Sequence, residues 1–408
     1  MAVNLRAPDP ASLFVIDGVE LGTAYAGIRK APRDDLMLMR LAPGTVTAGV
    51  FTQNSFAAAP VQVCREILAG VGTVRALIVN AGNANCGTGA AGMAAARRSC
   101  EAVASQIGID AGGVLPFSTG VILEPLPVER IETALPTCVE SLSPGNWGRA
   151  AQAIMTTDTV AKACSRSIDI DGKRIHVTGI AKGVGMLAPN MATMLTFIAT
   201  DARVGKAVLQ SMIGEVADVS FNRVTVDGDT STNDSFILSA TGKAGNPEIG
   251  IGSSQYQVLK GVIADVAVQL AQSIARDGEG ATKFITIEVE GAHDVAEALR
   301  VARGIAQSPL VKTAFFASDP NLGRLLMAIG NAGVTSMDTS KVNLWLGDVR
   351  VIENGGRAAS YKEEDGARVM KPAEIVVKVD LGRGNSKTTV WTCDYSYDYV
   401  KINAEYRT

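Results

Sequence analysis

The segment formed by residues 179–196 constrains the fold most strongly, because it joins a glycine-rich loop to an apolar run. Three glycines stand within its first seven residues, and Lys182 is the only charge among them. Glycine allows tight turns and close approach of the main chain, and Pro189-Asn190 then favours a further turn. Thr193 follows at the mouth of the run, which predicts a buried strand. The pattern fits a nucleophilic hydroxyl beside a flexible loop, but on spacing alone a plain connection into a core strand explains it better.

The composition limits which classes of protein fit. The 408-residue chain is 47% hydrophobic, which predicts a large core and two or more subdomains. A net charge of −3 argues against a nucleic-acid partner. The apolar runs fall short of the roughly 20 residues that cross a bilayer, and no signal-peptide order is present, so no membrane partner is expected. The six cysteines include no Cys-x-x-Cys pair, which predicts reduced thiols in a cytoplasmic protein.

Histidine, the usual general base, occurs only twice. His176 lies in an alternating segment typical of a strand, and His293 precedes Asp294 at the predicted start of a helix. These patterns favour His176 as a surface residue of a strand and His293 as the neighbour of a helix-capping residue. A nucleophile activated without histidine is therefore a hypothesis to keep, and a threonine with its own free amine is one known solution.

The apolar periodicity predicts both helices and strands along the whole chain. Residues 10–60 are typical of short strands, Pro127 of a helix start, and residues from 147 onward of an amphipathic helix. Further strands are predicted at 74–80, 114–123, 174–178, 284–289, 342–346, 374–380, 388–392 and 399–402, and further helices at 92–106, 204–219, 254–276, 294–307 and 321–331. This mixture predicts an α/β or α+β fold.

Three polar segments interrupt these patterns. Ser118-Thr119-Gly120 breaks an apolar strand, either as a bulge or as a hydroxyl and an N–H that point at one acceptor, as in an oxyanion site. Residues 80–89 follow a strand but match no nucleotide-binding spacing, so they predict a tight turn or a pocket loop. Residues 227–234 are acidic but do not fit the calcium-loop template, and no metal site is predicted.

Six motifs are distributed along the chain in a resemblance that extends from about residue 10 to the C-terminus. The long, specific one is Lys182-Gly183-x-Gly185-Met186-x-x-Pro189-Asn190-Met191-Ala192-Thr193-Met194-Leu195. The others are Asn80-Ala81-Gly82-Asn83-Ala84-Asn85, Ser118-Thr119-Gly120-Val121-Ile122, Asp227-Gly228-Asp229-Thr230-Ser231-Thr232-Asn233-Asp234, Ser318-Asp319-Pro320-Asn321-x-Gly323-Arg324 and the tail from Asn403 to Thr408. Together they resemble the ornithine acetyltransferase family, the glutamate N-acetyltransferases of arginine biosynthesis.

The resemblance implies a layered α/β sandwich, shared with self-processing aminopeptidases, with a mixed α/β C-terminal part. It implies that the chain cuts itself between Ala192 and Thr193. The fragments 1–192 and 193–408 would remain associated, usually as an α2β2 heterotetramer. Thr193 is implied as the nucleophile, with Thr119 and Gly120 as the oxyanion donors. The implied substrate contacts are Thr156, Lys182, Thr193, Glu279, Asn403 and Thr408.

The implied reaction moves acetyl from N-acetylornithine to glutamate through an ester on Thr193. The α-amine freed by cleavage has a reference pKa of about 8, which suits the base that the histidine-poor sequence lacks. No cofactor is implied, and acetyl-CoA as a second donor, found in bifunctional members, stays open. Two departures from the family pattern concern the pocket wall: Leu123 replaces the usual glycine and Leu322 the usual tryptophan.

Two other functions remain open at the level of sequence. A self-processing aminopeptidase or amidase would use the same nucleophile with water as the acceptor. A non-catalytic protein whose glycine-rich loops hold an anion would keep an intact chain and form no acyl adduct.

Overall fold

The structure is a computed structural model that describes residues 2–29, 32–186 and 194–405. The chain forms two compact units. The first, here called the sandwich unit, comprises Ala7–Asn222 and Asp229–Ile274. The second, here called the C-terminal unit, comprises Met1–Arg6, Arg223–Gly228 and Ala275–Thr408.

The sandwich unit combines nine strands with six helices. The strands are β1 Val19–Ala24, β2 Leu36–Leu41, β3 Val46–Phe51, β4 Ala76–Asn83, β5 Val114–Val121, β6 Lys162–Ile170, β7 Lys173–Lys182, β8 Leu195–Thr200 and β9 Ser235–Ala240. The helices are α1 Ala59–Ala69, α2 Gly89–Ile107, α3 Val128–Glu140, α4 Trp147–Ala153, α5 Lys206–Val219 and α6 Ser254–Arg276. The strands form a four-stranded sheet in the order β1-β2-β4-β5 and a five-stranded sheet in the order β3-β9-β8-β7-β6.

The apolar runs explain the layering of this unit. In β2, Met37 and Met39 lie in one core cluster, whereas Leu36 and Leu38 lie in another. Alternate residues point to opposite faces of a strand, so the four-stranded sheet is buried on both faces. One face packs on the five-stranded sheet, which contributes Phe197, and the other packs on α2 and α3.

Helices α5 and α6 cover the outer face of the five-stranded sheet. Helix α5 packs on β3 and β9. Val266 and Leu270 of α6 approach the main chain of Gly179 so closely that a Cβ there would stand 3.0–3.1 Å from them. The order helix–sheet–sheet–helix confirms the predicted layered α/β sandwich.

Helix α6 is long and apolar enough to cross a membrane by length and composition. Half of its most apolar window is buried, and the buried face packs on β7. This packing is that of a core helix, which explains the apolar composition without a membrane.

The C-terminal unit has one mixed sheet with helices packed on it. Its strands are β10 Phe284–Ala292, β11 Asn343–Leu346, β12 Val349–Glu353, β13 Gly356–Arg357, β14 Glu374–Asp380 and β15 Ser386–Cys393, in the order β13-β12-β11-β14-β10-β15. Its helices are α7 Val295–Ala306, α8 Pro309–Phe316, α9 Leu322–Gly330, α10 Glu363–Met370 and α11 Tyr397–Ala404. Leu322 packs against the core of this unit.

Most predicted elements are confirmed, some to the residue, as for α6 and β14. One prediction is wrong, because residues 399–402 lie in helix α11 and not in a strand. Tyr397 and Val400 of this helix are 84% and 66% exposed, so the apolar alternation there marks no buried face. Pro127 is the N-cap of α3 and not its first helical residue.

Candidate active site

Strand ends meet at one edge of the sandwich unit, and four predicted site residues that the structure describes lie there: Thr119, Gly120, Thr156 and Lys182. Lys182, the last residue of β7, pairs with Leu195, the first residue of β8. Leu195 also pairs with Ser235, the first residue of β9. The predicted nucleophile Thr193 precedes Leu195 by two positions in the sequence. Thr193, Ala192 and Thr408 lie outside the described residues.

The backbone at Thr119 and Gly120 has a conformation that depends on glycine. Gly120 has φ +136°, and a Cβ there would stand 2.2 Å from the carbonyl carbon of Gly82 on the neighbouring strand. The β4–β5 register shifts between Gly82 and Asn83 at the same point. The sequence predicts either a bulge or a pair of hydrogen-bond donors at this point. The shifted register shows that the strand pairing is irregular here. Any side chain at position 120 would push the two strands apart and move the Gly120 N–H.

The Thr119 hydroxyl lies against the ammonium group of Lys182. Lys182 Nζ donates to Thr119 Oγ1 at 3.1 Å, and the two residues are 8% and 7% exposed. A hydroxyl accepts through its lone pairs and retains one proton to donate. Thr119 can therefore accept from Lys182 and still donate to a developing oxyanion.

Asp158 links Thr156, Lys162 and the loop after β7. Its Oδ1 accepts from Lys162 Nζ at 2.7 Å and from the Gly183 N–H at 2.8 Å, and its Oδ2 accepts from the Thr156 N–H at 3.0 Å. Burial opposes the negative charge, but Lys162, Lys182 and the Gly183 N–H outweigh it and hold the pKa of Asp158 well below its usual range. This carboxylate therefore fixes the main chain at Thr156, a predicted site residue, and at Gly183, which follows the predicted site residue Lys182.

Sequence analysis missed Asp158 and Lys162. A four-residue spacing suggests an ion pair within a helix. The Asp158–Lys162 pair instead joins a loop to the start of β6. A buried pair of this kind has no local sequence signal beyond one acidic and one basic residue beside apolar strands.

Asn233 connects the segment before β9 to the end of β5. Its Nδ2 donates to the carbonyl oxygens of Ser118 at 2.9 Å and Ala84 at 2.7 Å. Within residues 80–85, Asn80 Nδ2 donates to the Asn83 carbonyl at 2.8 Å. Residues 80–83 are the end of strand β4, and residues 84–88 form a loop into α2 rather than a tight turn. Asn80 Oδ1 accepts from the Ser118 hydroxyl at 2.6 Å and so braces the strand that carries Thr119.

Glu279 and Asn403, two further predicted substrate contacts, lie together in the C-terminal unit. Asn403 Nδ2 donates to Glu279 Oε2 at 2.9 Å and to the Tyr399 carbonyl at 3.0 Å. Gly280 has φ +70°, and a Cβ there would stand 2.5 Å from the Tyr399 nitrogen. The glycine after Glu279 thus lets helix α11 approach, which brings Asn403 to the carboxylate.

Both histidines have structural partners. His176 on β7 is half-buried, and its N–H and Nδ1 contact the carboxylate of Asp201 at 2.8 and 3.0 Å. His293 lies beside Asp294, whose Oδ1 accepts from the Glu297 N–H and caps α7. These are the strand and helix-cap positions that their sequence context predicts.

Leu123 has a backbone conformation that glycine adopts more easily. It has φ +72°, is 66% exposed, and its Cδ2 would stand 2.6 Å from a Cβ on Gly87. The left-handed region costs a non-glycine residue roughly 1–2 kcal/mol. Leucine in place of the usual glycine at position 123 therefore puts an apolar side chain on the surface at a conformational cost.

We expect Leu123→Gly to raise the free energy of unfolding by roughly 0.5–1 kcal/mol, because relief of the left-handed strain exceeds the extra chain entropy of glycine. Thermal unfolding measures the effect. Leu310→Gly is the matched control, because this leucine is 52% exposed within helix α8 and its replacement should destabilise by about 1 kcal/mol. A lower midpoint for Leu123→Gly would contradict the strain argument.

Comparisons with known proteins give one family match and several similar solved structures. The sequence profile of the ArgJ family matches residues 20–408. A structure of arginine biosynthesis bifunctional protein ArgJ from Bacillus halodurans is 36% identical, covers 50% of this chain and 95% of its own, and has a TM-score of 0.48. Ornithine acetyltransferase complexed with ornithine, from Mycobacterium tuberculosis, is 33% identical, with coverages of 45% and 97% and a TM-score of 0.39. The L-aminopeptidase D-Ala-esterase/amidase of Ochrobactrum anthropi is 9% identical, with coverages of 68% and 89% and a TM-score of 0.41. The chain belongs to the ArgJ family, the ornithine acetyltransferases of arginine biosynthesis.

Proposed function

We propose that the enzyme transfers acetyl from N-acetylornithine to glutamate by double displacement on Thr193. The hydroxyl of Thr193 attacks the acetyl carbonyl, its proton passes to the Thr193 α-amine, and ornithine leaves after the nitrogen takes up that proton. The amine of glutamate then attacks the ester and regenerates the hydroxyl. Two partial reactions through an acyl-enzyme predict ping-pong kinetics.

The contact of Thr119 with Lys182 carries this proposal. Thr119 and Gly120 supply a hydroxyl and an N–H from adjacent residues, and the Gly120 conformation fixes the direction of the N–H. Such a preorganised pair stabilises the negative charge that forms on the acetyl oxygen. The Lys182 ammonium at 3.1 Å from Thr119 Oγ1 adds positive charge beside it. We assign Lys182 to the α-carboxylate of the substrate and Thr156 to its neighbouring polar groups.

Self-cleavage between Ala192 and Thr193 would expose the α-amine that serves as the base. The resulting fragments 1–192 and 193–408 would share one sheet, since β3, β6 and β7 belong to the first fragment and β8 and β9 to the second. Main-chain pairing joins β7 to β8 and β3 to β9. Two interleaved pairings support fragments that stay associated after cleavage, and we propose the α2β2 assembly on the family pattern.

Glu279 and Asn403 form the second proposed group of substrate contacts. The Glu279 carboxyl group is buried, and Asn403 donates to one of its oxygens. We assign this group to the side-chain ammonium of ornithine. Thr408 is assigned with them on the family pattern. We place the enzyme in the cytoplasm, where six buried free thiols stay reduced.

Replacement of Thr119 tests the oxyanion assignment. We expect Thr119→Val, which keeps the shape and removes the hydroxyl, to lower kcat for acetyl transfer by roughly 10²–10³-fold with a small change in KM. Thr119→Ser keeps the hydroxyl and should retain most of the activity. A valine variant with the wild-type kcat, or a serine variant that loses as much as valine, would contradict the assignment.

A further inference from the structure

Asp234 is a buried acidic residue at the candidate site that the proposed mechanism does not use. It precedes β9, and its main chain is fixed on one side because the Thr52 N–H donates to its carbonyl at 3.0 Å. The next residue, Ser235, donates its N–H to the Met194 carbonyl at 2.9 Å. Asp234 is 2% exposed, so its side chain is buried next to the first residue of β9.

The carboxyl group of Asp234 is short of partners. Within the described part of the chain, neither of its oxygens has a hydrogen-bond donor in normal geometry. The Met194 N–H and the Ser231 hydroxyl face the carboxyl group without a hydrogen bond of normal geometry. The positive charge of Lys182 also acts on this carboxyl group. Burial outweighs these three groups and raises the pKa of Asp234 well above its ordinary value. An ionised carboxylate in such a place costs several kcal/mol, and the group avoids that cost by keeping its proton.

The proton on Asp234 changes the net charge of the residues around Lys182. Lys162 and Asp158 form a fully buried ion pair at 2.7 Å, and Lys182 also acts on Asp158. With Asp234 neutral, these four residues carry two positive charges and one negative charge. With Asp234 ionised, they carry two of each, and a second carboxylate lies close to Lys182.

We propose that Asp234 is a positioning residue that holds a proton in the resting site, so that the cluster of Asp158, Lys162, Lys182 and Asp234 keeps a net positive charge for the α-carboxylate of the substrate. The inference rests on the proposed function, in which Lys182 contacts that carboxylate. Loss of the proton adds a negative charge beside the bound carboxylate and weakens its binding. The proposed effect falls on KM, because the lost proton changes the charge beside the bound carboxylate.

The pH dependence of KM for N-acetylornithine tests this coupling. In the wild type, KM should rise roughly tenfold or more as the pH rises through the raised pKa of Asp234. Asp234→Asn mimics the protonated acid, so its KM should lack the rise that the wild type shows as the pH increases. Asp201→Asn is the matched control, because Asp201 is a buried aspartate with partners in His176, and its curve should follow the wild type. Superimposable curves for the wild type and Asp234→Asn would overturn the inference.

Infrared difference spectroscopy gives a readout that does not depend on activity. The wild type minus Asp234→Asn spectrum should show a protonated carboxylic acid at neutral pH, and Asp201→Asn should leave that band in place. If Asp234→Asn does not fold, the wild-type acid band followed through a pH titration serves instead. Absence of the band overturns the inference and leaves the proposed function intact. An unchanged KM in Lys182→Gln removes the substrate contact from the proposed function, and the coupling to Asp234 falls with it.

Discussion

Thr193→Ala is expected to remain a single 408-residue chain and to lower acetyl transfer by roughly 10⁴–10⁶-fold. The variant lacks the hydroxyl that would attack the Ala192 carbonyl during processing and the acetyl carbonyl during turnover. It also keeps the α-nitrogen in a peptide bond, where it cannot act as a base. Denaturing gel electrophoresis and an assay for N-acetylglutamate measure the two losses.

Thr193→Ser is the control for this experiment. Serine keeps the hydroxyl, so processing and transfer should both persist at reduced rates. A Thr193→Ala protein that still cuts at this position, or that transfers acetyl at more than a small fraction of the wild-type rate, would exclude Thr193 as the nucleophile.

Asp158→Ala is expected to lower the free energy of unfolding by roughly 3–5 kcal/mol. The side chains of Asp158 and Lys162 are both 0% exposed, so the variant leaves a buried ammonium without its carboxylate. The N–H groups of Thr156 and Gly183 lose their acceptor as well. Because the pKa of Asp158 is depressed in the folded state, its contribution is complete above the unfolded value of about 3.9 and disappears only as the pH falls through the lower folded value.

Urea unfolding in the Thr193→Ala background measures this loss, since every variant then unfolds as one chain. Glu66→Ala is the matched control, because the Glu66–Arg97 ion pair is half exposed and its loss should cost less than about 1 kcal/mol. The double change Asp158→Leu with Lys162→Met should recover part of the stability by removing both charges. Equal stability of Asp158→Ala and Glu66→Ala would show that the buried pair does not anchor the site.

The periodic elements of this chain were predictable because their apolar faces are buried. Helix α6 and strand β14 match their predicted bounds, and the strand that carries Thr119 was located from its apolar run. The prediction of a strand at residues 399–402 failed because no apolar face is buried there. Helix α11 buries none of its residues, so local backbone preference and its contacts decide its conformation.

The site was only partly predictable. Lys182, Thr119 and Gly120 were proposed because they stand in dense motifs. Lys182 contacts Thr119 in the structure, and their roles in the reaction stay a prediction. Asp158 was missed because its partner Gly183 lies 25 residues away, and sequence alone does not show such a contact. Asp234 stood in a recognised motif, but its burial, and the shortage of partners for it among the described residues, depend on how β8 and β9 pack.

The intact mass of the purified protein, before and after brief mixing with N-acetylornithine, tests the central claim most directly. The account predicts two fragments that meet at Ala192 and Thr193, and one added acetyl group on the fragment that begins with Thr193. A single uncut chain that takes up no acetyl group would contradict both the self-processing and the covalent mechanism.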